Sequence, residues 1–206
     1  MGETAEKGIL SLKYYRPQLK IEDVENPPYI EARYYRKGRI KPVELIVIHT
    51  MEAAEKGNTA EAVAKYFQNS GVKASAHYCV DNNSVVQCVW DSNTAFACKN
   101  ANANGVHIEH AGFAKQNREE WLDEYGIALL NISAQGCAYL SNKFDIPVKT
   151  AVFKSENDPT VAEKGICGHT DVPNHGSHWD PGSHFPYDIY FELVNQYLPS
   201  IKAFEG

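Results

Sequence analysis

The chain has 206 residues, 43% of them hydrophobic and 22% charged, with a formal net charge of −6 at pH 7. That length supports one sizeable core and leaves little room for two full domains, and the acidic balance argues against a general nucleic-acid binder. No apolar run approaches the ~20 residues needed to span a bilayer, and no basic start followed by an apolar core marks a signal peptide, so synthesis in the cytoplasm and no membrane insertion are the expectations.

Residues 1–40 are polar, rich in Lys, Arg, Glu, Tyr and Pro, and show no sustained period. They read as an N-terminal arm preceding a domain over residues 41–206. Leu45-Ile46-Val47-Ile48 is a β-branched apolar run, the pattern of a strand buried on both faces, and it ends at His49. Thr59 is placed to cap a short amphipathic helix over about Ala60–Gln68. Ala76–Val80 and Val85–Trp90 read as strands joined by the turn residues Asp81-Asn82-Asn83-Ser84, the strongest hairpin signal in the chain. Gly105–His110 reads as another buried strand, closed by Ala111-Gly112.

Glu119 to about Phe144 carries the longest helical pattern, with a break expected near Tyr125-Gly126. Ile146-Pro147-Val148 returns to extended structure, and Gly165–His169 is a final short strand. A loop rich in Gly, Pro and His covers 170–186, and Tyr187–Leu198 closes the chain as a helix. Strands alternating with helices predict an α/β fold: a central mixed sheet of about five or six strands flanked by helices. The five cysteines, Cys79, Cys88, Cys98, Cys137 and Cys167, include no Cys-x-x-Cys pair. They read as free, buried thiols, although Cys79 and Cys88 face one another across the expected hairpin.

Three residues converge on a metal. His49 and His169 each end an apolar strand, where ligands collect in α/β sheets, and Asp180 lies in a Trp-Asp-Pro-Gly turn that presents its carboxylate. Taken alone, each has an ordinary reading as a rim histidine or a turn aspartate. Together, two imidazoles and a carboxylate leave a tetrahedral zinc one open position, the arrangement of a hydrolytic rather than a structural site. Its bound water would be acidified toward a pKa of ~7.

Five motifs occur in order: Ile-Val-Ile-His-Thr at 46–50, Ala-Ser-Ala-His-Tyr at 74–78, Val-His-Ile-Glu-His-Ala-Gly at 106–112, Gly-His-Thr-Asp-Val at 168–172, and Asp-Pro-Gly at 180–182. In this order and spacing the chain resembles the N-acetylmuramoyl-L-alanine amidase type 2 family over about Val43–Leu198. That family includes phage endolysin amidases, anhydro-muropeptide amidases and peptidoglycan recognition proteins. The resemblance implies a zinc cleft above the strand ends, with Zn2+ held by His49, His169 and Asp180. It implies Glu109 as the general base, and a carboxylate inside an otherwise apolar strand fits a functional role. His178 stands where the family often has Lys or Thr to stabilise the oxyanion, and an imidazole N–H can serve the same purpose.

His175 and His184 lie in the same loop and are alternative third ligands. His77, from the Ser-Ala-His-Tyr motif, is expected to orient the site or touch substrate, and His107, which shares a face with Glu109, is expected to line the cleft as a substrate-binding residue. Trp90, Asn104, Phe96, Asn100, Asn102 and Trp179 lie in loops suited to substrate contact, with Trp90 and Asn104 taken as binding residues. The implied partner is bacterial peptidoglycan or a muropeptide, and the implied reaction is cleavage of the bond between N-acetylmuramic acid and L-alanine. A phage endolysin domain, monomeric and reaching the wall after holin-type release, is the expected setting. A cytosolic recycling amidase and a non-catalytic recognition module are the alternatives, with a stem-peptide peptidase or a structural zinc protein further off.

Overall fold

The computed structural model describes residue 23 and residues 26–204. Most of the expected N-terminal arm, residues 1–22, 24 and 25, lies outside the described residues. The strands are β1 (Tyr35–Arg36), β2 (Leu45–Thr50), β3 (Tyr78–Val80), β4 (Val85–Gln87), β5 (Thr94–Ala95), β6 (Gly105–His110), β7 (Val152–Ser155), β8 (Asp158–Glu163) and β9 (Gly165–Gly168). The helices are α1 (Thr59–Asn69), α2 (Arg118–Trp121), α3 (Glu124–Phe144) and α4 (Tyr187–Phe204), and a 3-10 turn covers His169–Asp171.

A five-stranded mixed sheet organises the molecule, in the order β4-β3-β6-β2-β9. β2 runs parallel to both β6 and β9, β3 runs parallel to β6, and β4 returns antiparallel to β3. All six residues of β2 are buried, as expected of a central parallel strand covered on both faces. One face carries Ile46, Ile48, Val106, Ile108, Tyr78, Val80 and Ile166, which pack against α3 and α4 in the main core. Alternation turns Leu45, Val47 and Cys167 to the other face, where they meet Cys98, Ala101 and Val172. α1 covers that second face beside β3 and β4 through Ala60, Ala64 and Phe67, against Cys79, Val86 and Cys88.

Several local expectations are corrected. Thr59 does not cap α1: one early helical amide, Ala60 N, is met instead by Asp81, whose Oδ2 accepts from it at 3.0 Å, while Thr59 Oγ1 donates to the Ala54 carbonyl. The hairpin strands are shorter than the apolar runs, ending at Gln87 rather than Trp90. The helical break falls at Leu122-Asp123, earlier than Tyr125-Gly126, because Asp123 caps α3 by accepting from Gly126 N. Gly126 is needed inside the helix because a Cβ there would overlap the Trp121 carbonyl. The β7–β8 hairpin was not anticipated. Its residues mix apolar and polar types without a regular alternation, and none is fully buried, so no strand pattern announces it. No strand forms at Ile146-Pro147-Val148. Part of the arm packs on the sheet edge, where Ile30 N and Ala32 N donate to the carbonyls of Gln87 and Cys88. The five cysteines are free and buried, with Cys79 Sγ 3.8 Å from Cys88 Sγ.

Candidate metal centre and active site

The site lies at the C-terminal ends of β2, β6 and β9, on the face opposite α3 and α4. His49 and Glu109 are register partners on adjacent parallel strands, so both side chains leave the sheet on the same side. His169 follows the last residue of β9 and opens the 3-10 turn. Asp180 reaches the same point from the loop before α4, held by a hydrogen bond from Thr170 N to its carbonyl. That loop turns tightly at Gly182, whose φ is +89° and where a Cβ would overlap the Ala114 carbonyl oxygen.

One ligand atom each from His49, His169 and Asp180 falls within 4.8 Å of the others. His49 Nδ1 is 2.9 Å from Asp180 Oδ2, and His169 Nδ1 is 3.3 Å from Asp180 Oδ1. Burial alone would raise the Asp180 pKa, but hydrogen bonds from His169 and His49 outweigh it and hold the carboxyl far below its usual range. Burial likewise works against a charge on His169, yet the hydrogen bond to Asp180 and contact with Cys98 lift it to about 9. Burial dominates at His49 and lowers its pKa. The set therefore offers one committed carboxylate and two imidazoles on a partly enclosed point, a donor mix suited to zinc.

The cleft beside it is lined by Thr50, Glu52, Phe67, Ala74, Ser75, Phe96, Ala97, Glu109 and His178, together with the three candidate ligands. Glu109 is half-buried, and its Oε2 has no hydrogen-bond partner. Burial, reinforced by the nearby Asp180 charge, pushes its pKa well above the ordinary glutamate value. His178 is exposed, stacks on His169 with ring centroids 4.5 Å apart, and places Nδ1 3.8 Å from Asp180 Oδ1.

The remaining expected residues lie elsewhere. His77 and His107 are fully buried, so neither offers a surface to substrate. His107 Nδ1 lies 3.0 Å from His49 Nε2, and His77 Nδ1 accepts from the His107 backbone N–H. Asn104 lies at the opposite end of the sheet, where its amide donates to Glu44 and its carbonyl accepts from Glu44 N and Leu45 N. Trp90 lines a separate groove with Arg39 and Lys143 and stacks on Tyr29 at 4.3 Å. Asn100 donates to the carbonyls of Pro173 and Asn174, and Asn102 accepts from Ala97 N and Cys98 N, so both brace loops. His175 packs near His169 but is outside the ligand cluster, as is His184.

Sequence reasoning missed Glu52. Its φ is 49°, and Oε1 accepts from Thr50 Oγ1 and Ala114 N, which fixes the carboxylate at the cleft wall. It also missed Arg39, whose guanidinium donates to the carbonyls of Asp91 and Gly105 and lies 2.9 Å from His77 Nε2. Arg39 acts through partners distant in sequence, and Glu52, although bonded to nearby Thr50, is fixed at the cleft wall by the distant Ala114 N.

A model of the N-acetylmuramoyl-L-alanine amidase family matches residues 39–183. The chain belongs to this family. The amidase is 26% identical over 156 residues to N-acetylmuramoyl-L-alanine amidase A of Achromobacter lyticus, a match covering 73% of this chain and 82% of that enzyme. Among solved structures, the Staphylococcus aureus hydrolase AmiA in complex with its ligand aligns with a TM-score of 0.64 at 17% identity, covering 91% of the amidase and 96% of AmiA. A mutant endolysin from Bacillus subtilis aligns with a TM-score of 0.57 at 14% identity, covering 81% and 97% respectively. At such identities the structural likeness speaks for the fold, and it matches the mixed sheet described above. Among the described residues, no helix is long and apolar enough to cross a membrane.

Proposed function

We propose that this amidase hydrolyses the bond between the lactyl carbonyl of N-acetylmuramic acid and the nitrogen of L-alanine in peptidoglycan, using zinc held by His49, His169 and Asp180. The observation that carries the proposal is the convergence of those three ligand atoms beside a carboxylate with an unpartnered buried oxygen, all facing one cleft. Zinc in this position would polarise the substrate carbonyl and lower the pKa of a coordinated water toward ~7.

The chain's own residues supply the rest. Glu109 accepts the proton of the attacking water through Oε2 and then delivers it to the departing alanine nitrogen. Burial raises the Glu109 pKa above the ordinary glutamate value, which makes its carboxylate a stronger base for the first half of that transfer. His178 donates an N–H to the oxygen that becomes negative during attack. Phe67, Ala74 and Phe96 give one wall an apolar surface for the alanine methyl and sugar ring. The setting we favour is lytic action on the cell wall, in keeping with endolysins among the structural neighbours.

Digestion of purified sacculi followed by mass spectrometry tests this reading. The wild type should release peptides beginning with L-alanine and leave the glycan intact, whereas cleavage within the stem peptide would overturn it. Glu109→Gln should retain its zinc and lose on the order of 10²–10⁴-fold in turnover. Activity confined to soluble muropeptides, with intact sacculi untouched, would point to recycling instead of lysis.

A further inference from the structure

We infer that His107 is a positioning residue that accepts a hydrogen bond from His49 Nε2–H and thereby keeps the Nδ1 lone pair of His49 turned toward the metal position. The inference rests on the zinc site proposed above and concerns what orients one of its ligands.

His49 has two ring nitrogens with different surroundings. Nδ1 lies 2.9 Å from Asp180 Oδ2, on the side of the other candidate ligands, and Nε2 lies 3.0 Å from His107 Nδ1. A neutral imidazole carries one hydrogen. In the metal-free site Nδ1 donates to Asp180; once a cation takes the Nδ1 lone pair, the single ring hydrogen must be on Nε2, where an acceptor can receive it. His107 Nδ1 is that acceptor, which places the hydrogen of His107 on Nε2. That hydrogen is then buried without an acceptor, a cost the arrangement carries in exchange for a bare Nδ1 facing His49 Nε2.

His107 is itself held firmly. Its backbone N–H donates to His77 Nδ1, and its ring stacks on His77 with centroids 5.6 Å apart and planes 15° from parallel. The Arg39 guanidinium lies against the far side of His77, 2.9 Å from its Nε2. Partners of this kind fix the tautomer and orientation of a metal-binding histidine.

Zinc affinity, measured by competition with a chromophoric chelator, tests the inference without reference to turnover. His107→Leu removes the acceptor and should weaken zinc binding by about 10–100-fold. His107→Asn keeps an acceptor near the Nδ1 position and should bind zinc close to the wild-type level. Melting of both variants in chelator reports the packing loss separately. Should His107→Leu fail to fold, 15N spectra of histidine-labelled wild type with zinc still decide, because His107 must carry its hydrogen on Nε2 and keep Nδ1 bare, and a His107 hydrogen on Nδ1 overturns the inference. A His49 hydrogen on Nδ1, unchanged affinity in His107→Leu, or equal loss in both variants overturns the inference. A wild type that binds no zinc overturns the proposed function and this inference together, whereas the other outcomes leave the proposed function standing.

Discussion

Without a metal, His169 and Asp180 form an ion pair, and its pH dependence can be worked out from the direction of the shifts. His169 is held at about 9, above an ordinary histidine near 6.5. A histidine with a raised folded-state pKa contributes stability that is fully present below the unfolded value and is lost as pH rises through the folded one. The metal-free protein should therefore lose up to about 3 kcal/mol between pH 6.5 and 9, a loss visible as a falling melting temperature in chelator. Asp180→Asn removes the partner and should flatten that slope, and an unchanged slope in the variant would remove the pair as its cause. At this scale the ligands were legible because each ends or follows a recognisable motif. Their neighbours were not, because side-chain environment depends on tertiary path. Asn104 and Glu109 belong to one segment, yet at roughly 3.3 Å per residue they stand about 16 Å apart at opposite ends of β6. His107 shares the Glu109 face as alternation requires, but whether that face is cleft or interior at its position depends on His77 and the 89–104 segment above it.

Elements are joined here by single buried polar residues, and Asp81 is the clearest case. Its side chain is fully buried. Oδ1 accepts from Asn83 N, Ser84 N and Ser84 Oγ, closing the β3–β4 turn, while Oδ2 accepts from Ala60 N at the start of α1. Asp81→Ala would leave the buried Ala60 N–H without a partner and release the half-buried donors of the turn. It should cost about 2–4 kcal/mol, and Asp81→Asn, which preserves an oxygen for the turn, should cost less. Denaturant melts of the two variants check this, and equal losses would show that the turn contributes little. The hairpin was readable because turn chemistry and flanking apolar runs agree. The same Asp81 was invisible as a helix cap because it acts from 21 residues away. The β2, β6 and β9 strands were readable from apolar runs, and the β7–β8 pair was not, since only Phe153 and Val161 of it pack on the core, too few to set up a period.

Across the whole molecule, the candidate ligands come from segments far apart in the chain: the end of β2, the turn after β9, and the loop before α4. These meet only when the parallel sheet has formed and α4 has docked, so an unfolded chain offers no comparable site. A cation that binds the folded state alone stabilises it by RT ln(1 + [L]/Kd), about 4 kcal/mol at a thousandfold excess over Kd. For a domain of this size each kcal/mol moves the melting temperature by about 2–4 °C, so saturating zinc should raise it by roughly 8–16 °C. Magnesium should give little, because two imidazoles and one carboxylate are a poor set for a cation that prefers oxygen and retains its waters. Glu109→Gln should keep the full zinc shift, since Glu109 lies outside the ligand cluster. Thermal melts in chelator, zinc and magnesium separate these outcomes. A shift absent with zinc, or equal with magnesium, would mean that the three side chains are brought together by the fold without holding the ion, leaving the ionised Asp180 as a structural anchor for two histidines and the hydrolytic reading without its electrophile.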